Sequence, residues 1–174
     1  MKSFWNILLV NAILMILWHY SMFLACISLK KSSMDPKRPM FQPKEWEKGG
    51  KWYSKYLKIN LWKDLLPQHV GKGGFSKEHL TDLTVEYLDE FIMETCRGEW
   101  DHRMCCLYCI ISFIVNPVLY NFQVALIFAL LALIINLPFV AIQRYNRFRL
   151  QVLRKRLLRE QARNLSGNKV MVNG

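Results

Sequence analysis

Two stretches of the chain carry no formal charge, Ser3–Leu29 and Met104–Gln143, and every Lys, Arg, Asp and Glu lies outside them. A bilayer core is about 30 Å thick and a helix rises about 1.5 Å per residue, so one crossing takes about 20 apolar residues. The first run suffices for one crossing and the second for two. Over the whole 174 residues the chain is 52% hydrophobic and 21% charged, an average that conceals the segregation. Such a distribution excludes a plain soluble domain, a disordered chain, a collagen-like repeat and a small disulfide scaffold. The predicted fold class is an all-α integral membrane protein. About three transmembrane helices, one N-terminal and one hairpin, are joined by cytoplasmic interfacial amphipathic helices.

The first run reads as an anchor rather than a cleaved signal. It exceeds the usual apolar region of about 7–15 residues, and no A-x-A site follows it. In the second run Asn116, Pro117 and Asn121 interrupt the apolar pattern, and proline and asparagine favour breaks. The expected hairpin has a short helix over 104–115, a turn over 116–122 and a full helix over 123–143. The short arm is either extended by the preceding segment or re-entrant. Four regions follow: 1–29, an N-terminal span; 30–103, a cytoplasmic interfacial region; 104–143, the hairpin; and 144–174, a basic amphipathic helix with a disordered end from Asn164.

Charge sets the expected orientation. Of the 24 basic residues, 14 lie in Lys30–Arg103 and 9 from Arg144 onward, whereas the hairpin turn has none. The positive-inside rule then places the N-terminus outside, both basic regions in the cytoplasm and the chain in the cell membrane as a multi-pass protein. The net charge of +11 implies contact with anionic membrane lipids. No nucleic acid is expected, because the charge clusters beside the spans and no recognised binding motif accompanies it.

Residues 30–50 are rich in proline and glycine and read as irregular chain along the membrane surface. Lysines and aromatics interleave from Lys51 to Pro67, as in an interfacial anchor. Trp62 and Lys63, with Asp64, are candidates for lining a site for an amphiphilic substrate. Gly71–Gly74 lacks phosphate-loop spacing. Ser76 is placed to cap a helix from Lys77, with Leu80, Leu83, Tyr87, Leu88 and Phe91 on one face.

That helix leads into Glu94-Thr-Cys-Arg97-Gly-Glu99-Trp-Asp-His102-Arg103. Glu94 and Arg97 share a helix face, as do Glu99 and His102. Carboxylates, guanidinium and imidazole beside a bilayer are costly unless they pair or serve a site. A histidine held by Glu99 or Glu94 suits general base work on a hydroxyl. The plainer explanation is a solvated ion-pair cluster at a helix end. On the third span, Asn136, Gln143 and Arg147 form a polar stripe, beside Arg144, Asn146 and Arg149. Arginine forks there fit phosphate or carboxylate. A positive-inside stop signal explains the arginines but not Asn136 or Gln143. Cys26, Cys96, Cys105, Cys106 and Cys109 provide only one CxxC pair, so no metal site and no cofactor are expected. His19 reads as a packed polar group within the first span, and His69 and His79 join no constellation. From Leu150, leucines 150, 153 and 157 mark the face of a surface-lying basic helix.

The runs KINLWKDLLP (58–67), ETCRGExxH (94–102), NLP (136–138) and QRYNRxR (143–149), in this order and spacing, resemble the glycosyl-4,4'-diaponeurosporenoate acyltransferase family over about residues 40–155. The resemblance implies an enzyme that moves a fatty acyl chain from a thioester donor, acyl-CoA or acyl carrier protein, to a hydroxyl of a glycosylated lipid such as a glycosyl carotenoid. It implies importance for Trp62, Lys63, Glu94, Arg97, Glu99, His102, Asn136, Gln143, Arg144, Asn146 and Arg147. On this reading His102, Glu99 and Glu94 are catalytic and the others bind substrate. The alternative is a non-catalytic membrane adaptor or lipid-binding subunit that docks a partner through its basic cytoplasmic face.

Overall fold

A computed structural model describes residues 3–66 and 84–172, and side chains as far as Asn164. The Gly71–Gly74 turn, Ser76, Leu80, Leu83, His69 and His79 lie outside the described residues. The described residues form six α-helices: α1 (Phe4–Ser28), α2 (Lys51–Tyr56), α3 (Ile59–Trp62), α4 (Val85–Cys106), α5 (Tyr108–Leu119) and α6 (Phe122–Val172). Short 3-10 turns occupy Lys31–Met34 and Glu45–Gly50, and no strand occurs among the described residues. Among the described residues three helical stretches are long and apolar enough to cross a membrane: Phe4–Ser28, Val85–Leu119 and Phe122–Asn164. The chain is therefore an all-α integral membrane protein.

The expected short arm of the hairpin is extended by the segment before it, since α4 runs almost directly into α5. The Thr84 hydroxyl accepts the Tyr87 N–H (3.1 Å) and caps α4. A histidine- and carboxylate-bearing motif expected in an interfacial region thus sits within a helix that continues into the second span. Pro117 lies in the last turn of α5, where its missing N–H forfeits a bond to the preceding turn, and the helix ends at Leu119 as Tyr120 leaves helical geometry (φ −137°). The Asn121 side chain accepts the Val124 N–H (2.9 Å) and starts α6. The break thus falls at residues 120–121, narrower than the expected turn. α6 is one uninterrupted helix to Val172. The basic segment expected as a separate surface helix continues α6 instead, since propagation adds a hydrogen bond for each residue fixed.

The chain divides into two compact units, one from residues 1–34 and 97–143, the other from 35–96 and 144–174. In the first, Tyr108, Phe128 and Ala132 form a buried cluster with Ile7, Leu14, Met15 and Trp18 packed against it. Lipid offers no hydrophobic drive between helices, so polar side chains and close packing join them. Asn11 and Asn116 exchange amide hydrogen bonds (3.0 and 2.9 Å), both fully buried. Asn116 also donates to Ser112 Oγ (3.0 Å), which donates to the Ala125 carbonyl (2.8 Å). α1, α5 and α6 are thereby tied by one chain of amides and a hydroxyl.

In the second unit the segment between the first and second spans is fastened by a buried ion pair. Arg144 donates through Nε and Nη2 to the two oxygens of Glu47 (2.6 Å each), and further to the carbonyls of Met40 (3.2 Å) and Gln42 (3.0 Å). Tyr53 Oη donates to Glu47 Oε1 (2.5 Å) and the Lys44 N–H to Oε2 (2.6 Å). Burial pushes the Glu47 carboxyl up, but the bonds from Arg144, Tyr53 and Lys44 outweigh it and hold the group below the usual carboxylate range. Burial, reinforced by Glu47, raises the Tyr53 phenol well above its ordinary value. Gly50 has φ +88°, and a Cβ there would meet Phe148 at 3.0 Å, so this turn requires glycine on both counts. Leu88, Ile92 and Leu150 form a buried cluster flanked by Leu153 and Leu157. The leucine face expected to lie on the membrane surface is packed on α4 instead.

Two tests follow from these networks. Asn11→Leu leaves the Asn116 amide without its partner in the bilayer, and SDS-induced unfolding of the purified protein is expected to show a loss on the order of 1 kcal/mol. Arg144→Met strands a buried carboxylate and is expected to cost about 3–5 kcal/mol. Because the folded Glu47 value is depressed, its contribution is present above the unfolded carboxylate value of about 4.3 and fades as pH falls through the folded one. Acid titration should therefore destabilise the wild type more steeply than Arg144→Met.

Candidate functional site

In the first unit α4 and α6 run antiparallel, and their contact brings two of the sequence motifs together. His102 Nδ1 lies 3.2 Å from Asn136 Oδ1, and the His102 ring stacks on Phe139 (centroids 4.6 Å, 14°). Asn136 Nδ2 is 2.9 Å from the Ala132 carbonyl and 3.1 Å from His19 Nε2 on α1. His19 Nδ1 is 2.8 Å from the Met15 carbonyl.

Backbone carbonyls at the two ends determine where the protons are. Ala132 O can only accept, so the Asn136 atom facing it is the NH2 and Oδ1 faces His102. Oδ1 can only accept, so His102 carries its proton on Nδ1. Met15 O likewise requires the proton of neutral His19 on Nδ1, leaving its Nε2 to accept from Asn136. His102 Nε2 then bears a lone pair and has no hydrogen-bond partner among the described residues. A neutral imidazole oriented through Nδ1 with a basic Nε2 is the arrangement that general base chemistry uses.

The expected orienting carboxylate is replaced by an amide. Glu99 is fully buried and forms an ion pair with Arg103, one turn along α4. Glu94, in the second unit, is exposed. Arg97 donates to the Cys26 carbonyl (3.2 Å) at the end of α1, satisfying a terminal helix acceptor. One turn from His102, Gly98 admits the side chain of Gln143: a Cβ there would meet Gln143 Nε2 at 2.8 Å. His102 with Asn136 and Gly98 with Gln143 are thus successive rungs of one helix pair.

The remaining expected residues lie in the second unit. Arg144 is 4% exposed and its donors are engaged by Glu47, Met40 and Gln42, which makes it a structural clamp rather than the expected substrate fork. Arg147 is also buried, with Nη1 3.3 Å from Cys96 Sγ and its cation over Phe41. Lys63 is buried and paired with Asp64 (2.6 Å). The Trp62 indole donates to the Leu57 carbonyl (2.8 Å). Asn146 is half-buried.

Sequence reasoning missed two groups. Glu47 lies in the segment expected to be irregular and Tyr53 in the stretch expected to be an interfacial anchor, and no motif marks either as a partner of Arg144. His19, expected as a packed polar group, bonds to Asn136, in keeping with the need of a histidine inside an uncharged span for a polar partner. Among the described residues no group of His, Cys, Asp and Glu is arranged to hold a metal ion.

Comparison with known proteins agrees with these motifs. The pattern of the family described as glycosyl-4,4'-diaponeurosporenoate acyltransferase matches residues 37–156. A protein of that name from Staphylococcus aureus (strain MRSA252) is 31% identical over 130 residues, 74% of this chain and 76% of the relative. Its counterpart from strain Newman is 32% identical over 127 residues, 72% and 74% of the respective chains. No solved structure matches. The chain belongs to the glycosyl-4,4'-diaponeurosporenoate acyltransferase family.

Proposed function

We propose that this acyltransferase-family protein esterifies a hydroxyl of a glycosylated membrane lipid, with His102 as general base. The relatives' names point to a sugar hydroxyl of a glycosyl carotenoid as the acceptor. The donor is an acyl thioester, on CoA or acyl carrier protein. The observation that carries this reading is the His102 ring, held through Nδ1 by Asn136 with Nε2 unengaged.

In this scheme Nε2 takes the proton of the acceptor hydroxyl as its oxygen attacks the thioester carbonyl carbon. The C–O bond forms, the carbonyl electrons move onto oxygen, and a tetrahedral oxyanion results. Its collapse breaks the C–S bond, and the thiolate takes the proton back from imidazolium. Asn136 Oδ1 stabilises that imidazolium, a role that replaces the expected Glu99 or Glu94. To the Gln143 amide, one rung along the same helix pair, we assign support of the oxyanion. Phe139, flat against the imidazole, limits its rotation and excludes water from one face. Trp62, Lys63, Asn146 and Arg147 are assigned to substrate positioning. The basic segments are assigned to the cytoplasmic side, where thioester donors are found, with the N-terminus outside.

Purified His102→Ala, given a labelled acyl thioester and glycolipid, is expected to form ester at least about 10²-fold more slowly than wild type. Undiminished ester formation would remove His102 from the reaction.

A further inference from the structure

His19 is a polar group that the proposed chemistry does not use, and its contacts place it directly behind the base. His19 sits on α1, inside an otherwise uncharged span, and receives one of the two Asn136 amide hydrogens (3.1 Å). The other goes to Ala132 O (2.9 Å). His19 is itself locked by Met15 O (2.8 Å). The order is Met15 carbonyl, His19, Asn136, His102, with each donor and acceptor specified by the neighbour before it.

We infer that His19 is a positioning residue that, together with Ala132 O, sets the tautomer of His102 through the Asn136 amide. The inference rests on the general-base reading of His102 given above. The amide has two faces and no steric preference between them, because its oxygen and NH2 are nearly the same size. Only its partners decide which one meets His102. With His19 Nε2 accepting, NH2 points to α1 and oxygen points to His102, which then holds its proton on Nδ1 and its lone pair on Nε2. A charged donor at position 19 would attract the oxygen more strongly than the neutral Ala132 carbonyl holds the NH2, and would turn the NH2 toward His102. Nδ1 would then have to accept, the proton would move to Nε2, and the nitrogen that takes the substrate proton would be blocked. The two orientations occupy the same volume, so the cost of the turn falls on Ala132 O, which loses its donor and faces the amide oxygen.

The side chain at 19 can be varied to separate this role from simple packing. Gln offers a carbonyl oxygen to Asn136 and an NH2 to Met15 O, preserving the pattern of His19. Lys places an ammonium donor in the same position and reverses it. The full-length protein, labelled with ¹⁵N-histidine and held about two pH units above the ordinary histidine value, keeps the rings neutral. His102 is assigned by the resonance lost in His102→Ala. Wild type is expected to show a pyrrole-type resonance at His102 Nδ1 and a pyridine-type resonance at Nε2. His19→Gln is expected to keep that pattern and to retain most of kcat. His19→Lys is expected to exchange the two resonance types and to lower kcat about 10²-fold with KM little changed, the scale of a lost general base.

The inference is overturned if wild-type or His19→Gln His102 carries its proton on Nε2, or if His19→Lys folds and leaves both resonances and kcat as in wild type. Failure of the general-base reading looks different. His102→Ala would then form ester at the wild-type rate, while the tautomer pattern at His102 would still report on His19.

Discussion

The arrangement around His102 depends on how a membrane helix satisfies one buried amide. Asn136 is 1% exposed within a span of apolar residues, where an unpaired donor or acceptor costs several kcal/mol. Its three hydrogen-bonding positions are taken by a carbonyl of its own helix and by histidines on two others. Satisfying the amide therefore brings α1, α4 and α6 together at one point. The same requirement orients an imidazole. A structural need of the bilayer and a chemical need of a general base are met by the same hydrogen bonds.

The two units answer the cost of buried polarity differently. The first uses neutral groups: the Asn11–Asn116 pair, Ser112, and the amide between two histidines. The second uses full charges, with the Glu47 carboxylate receiving four hydrogen bonds from Arg144, Tyr53 and Lys44. Neutral amides suit the spans, since desolvating them costs far less than desolvating an ion. Glu99 departs from this pattern, fully buried and paired with Arg103. An ion pair in that place is expensive unless geometry is tight.

Much of the architecture was legible in the sequence because charge segregation and helix length are one-dimensional properties. The three spans, the break near Asn121 and the family motifs could all be read from order alone. Residue spacing on one helix also pointed to His102 and Asn136 as members of a site. It could not say which group would face which, because i,i+3 neighbours compete with partners on other helices. Glu99 went to Arg103, and His102 took an amide from α6 instead. Arg144 read as a phosphate fork, since nothing in the pattern reveals that a carboxylate 97 residues away supplies its matching geometry. The continuity of α6 past the membrane was hidden for a related reason. A basic amphipathic stretch has the same periodicity whether it lies on a lipid surface or packs, as Leu150 does, on a neighbouring helix.

The bridge itself is open to direct test in cells. Lipid mass spectrometry of cells making equal membrane levels of wild type and Asn136→Leu compares an intact bridge with one in which neither histidine finds its amide. The account expects a glycolipid heavier by one acyl chain with wild type and its near absence with the variant. Equal amounts of the acylated lipid in both would contradict it.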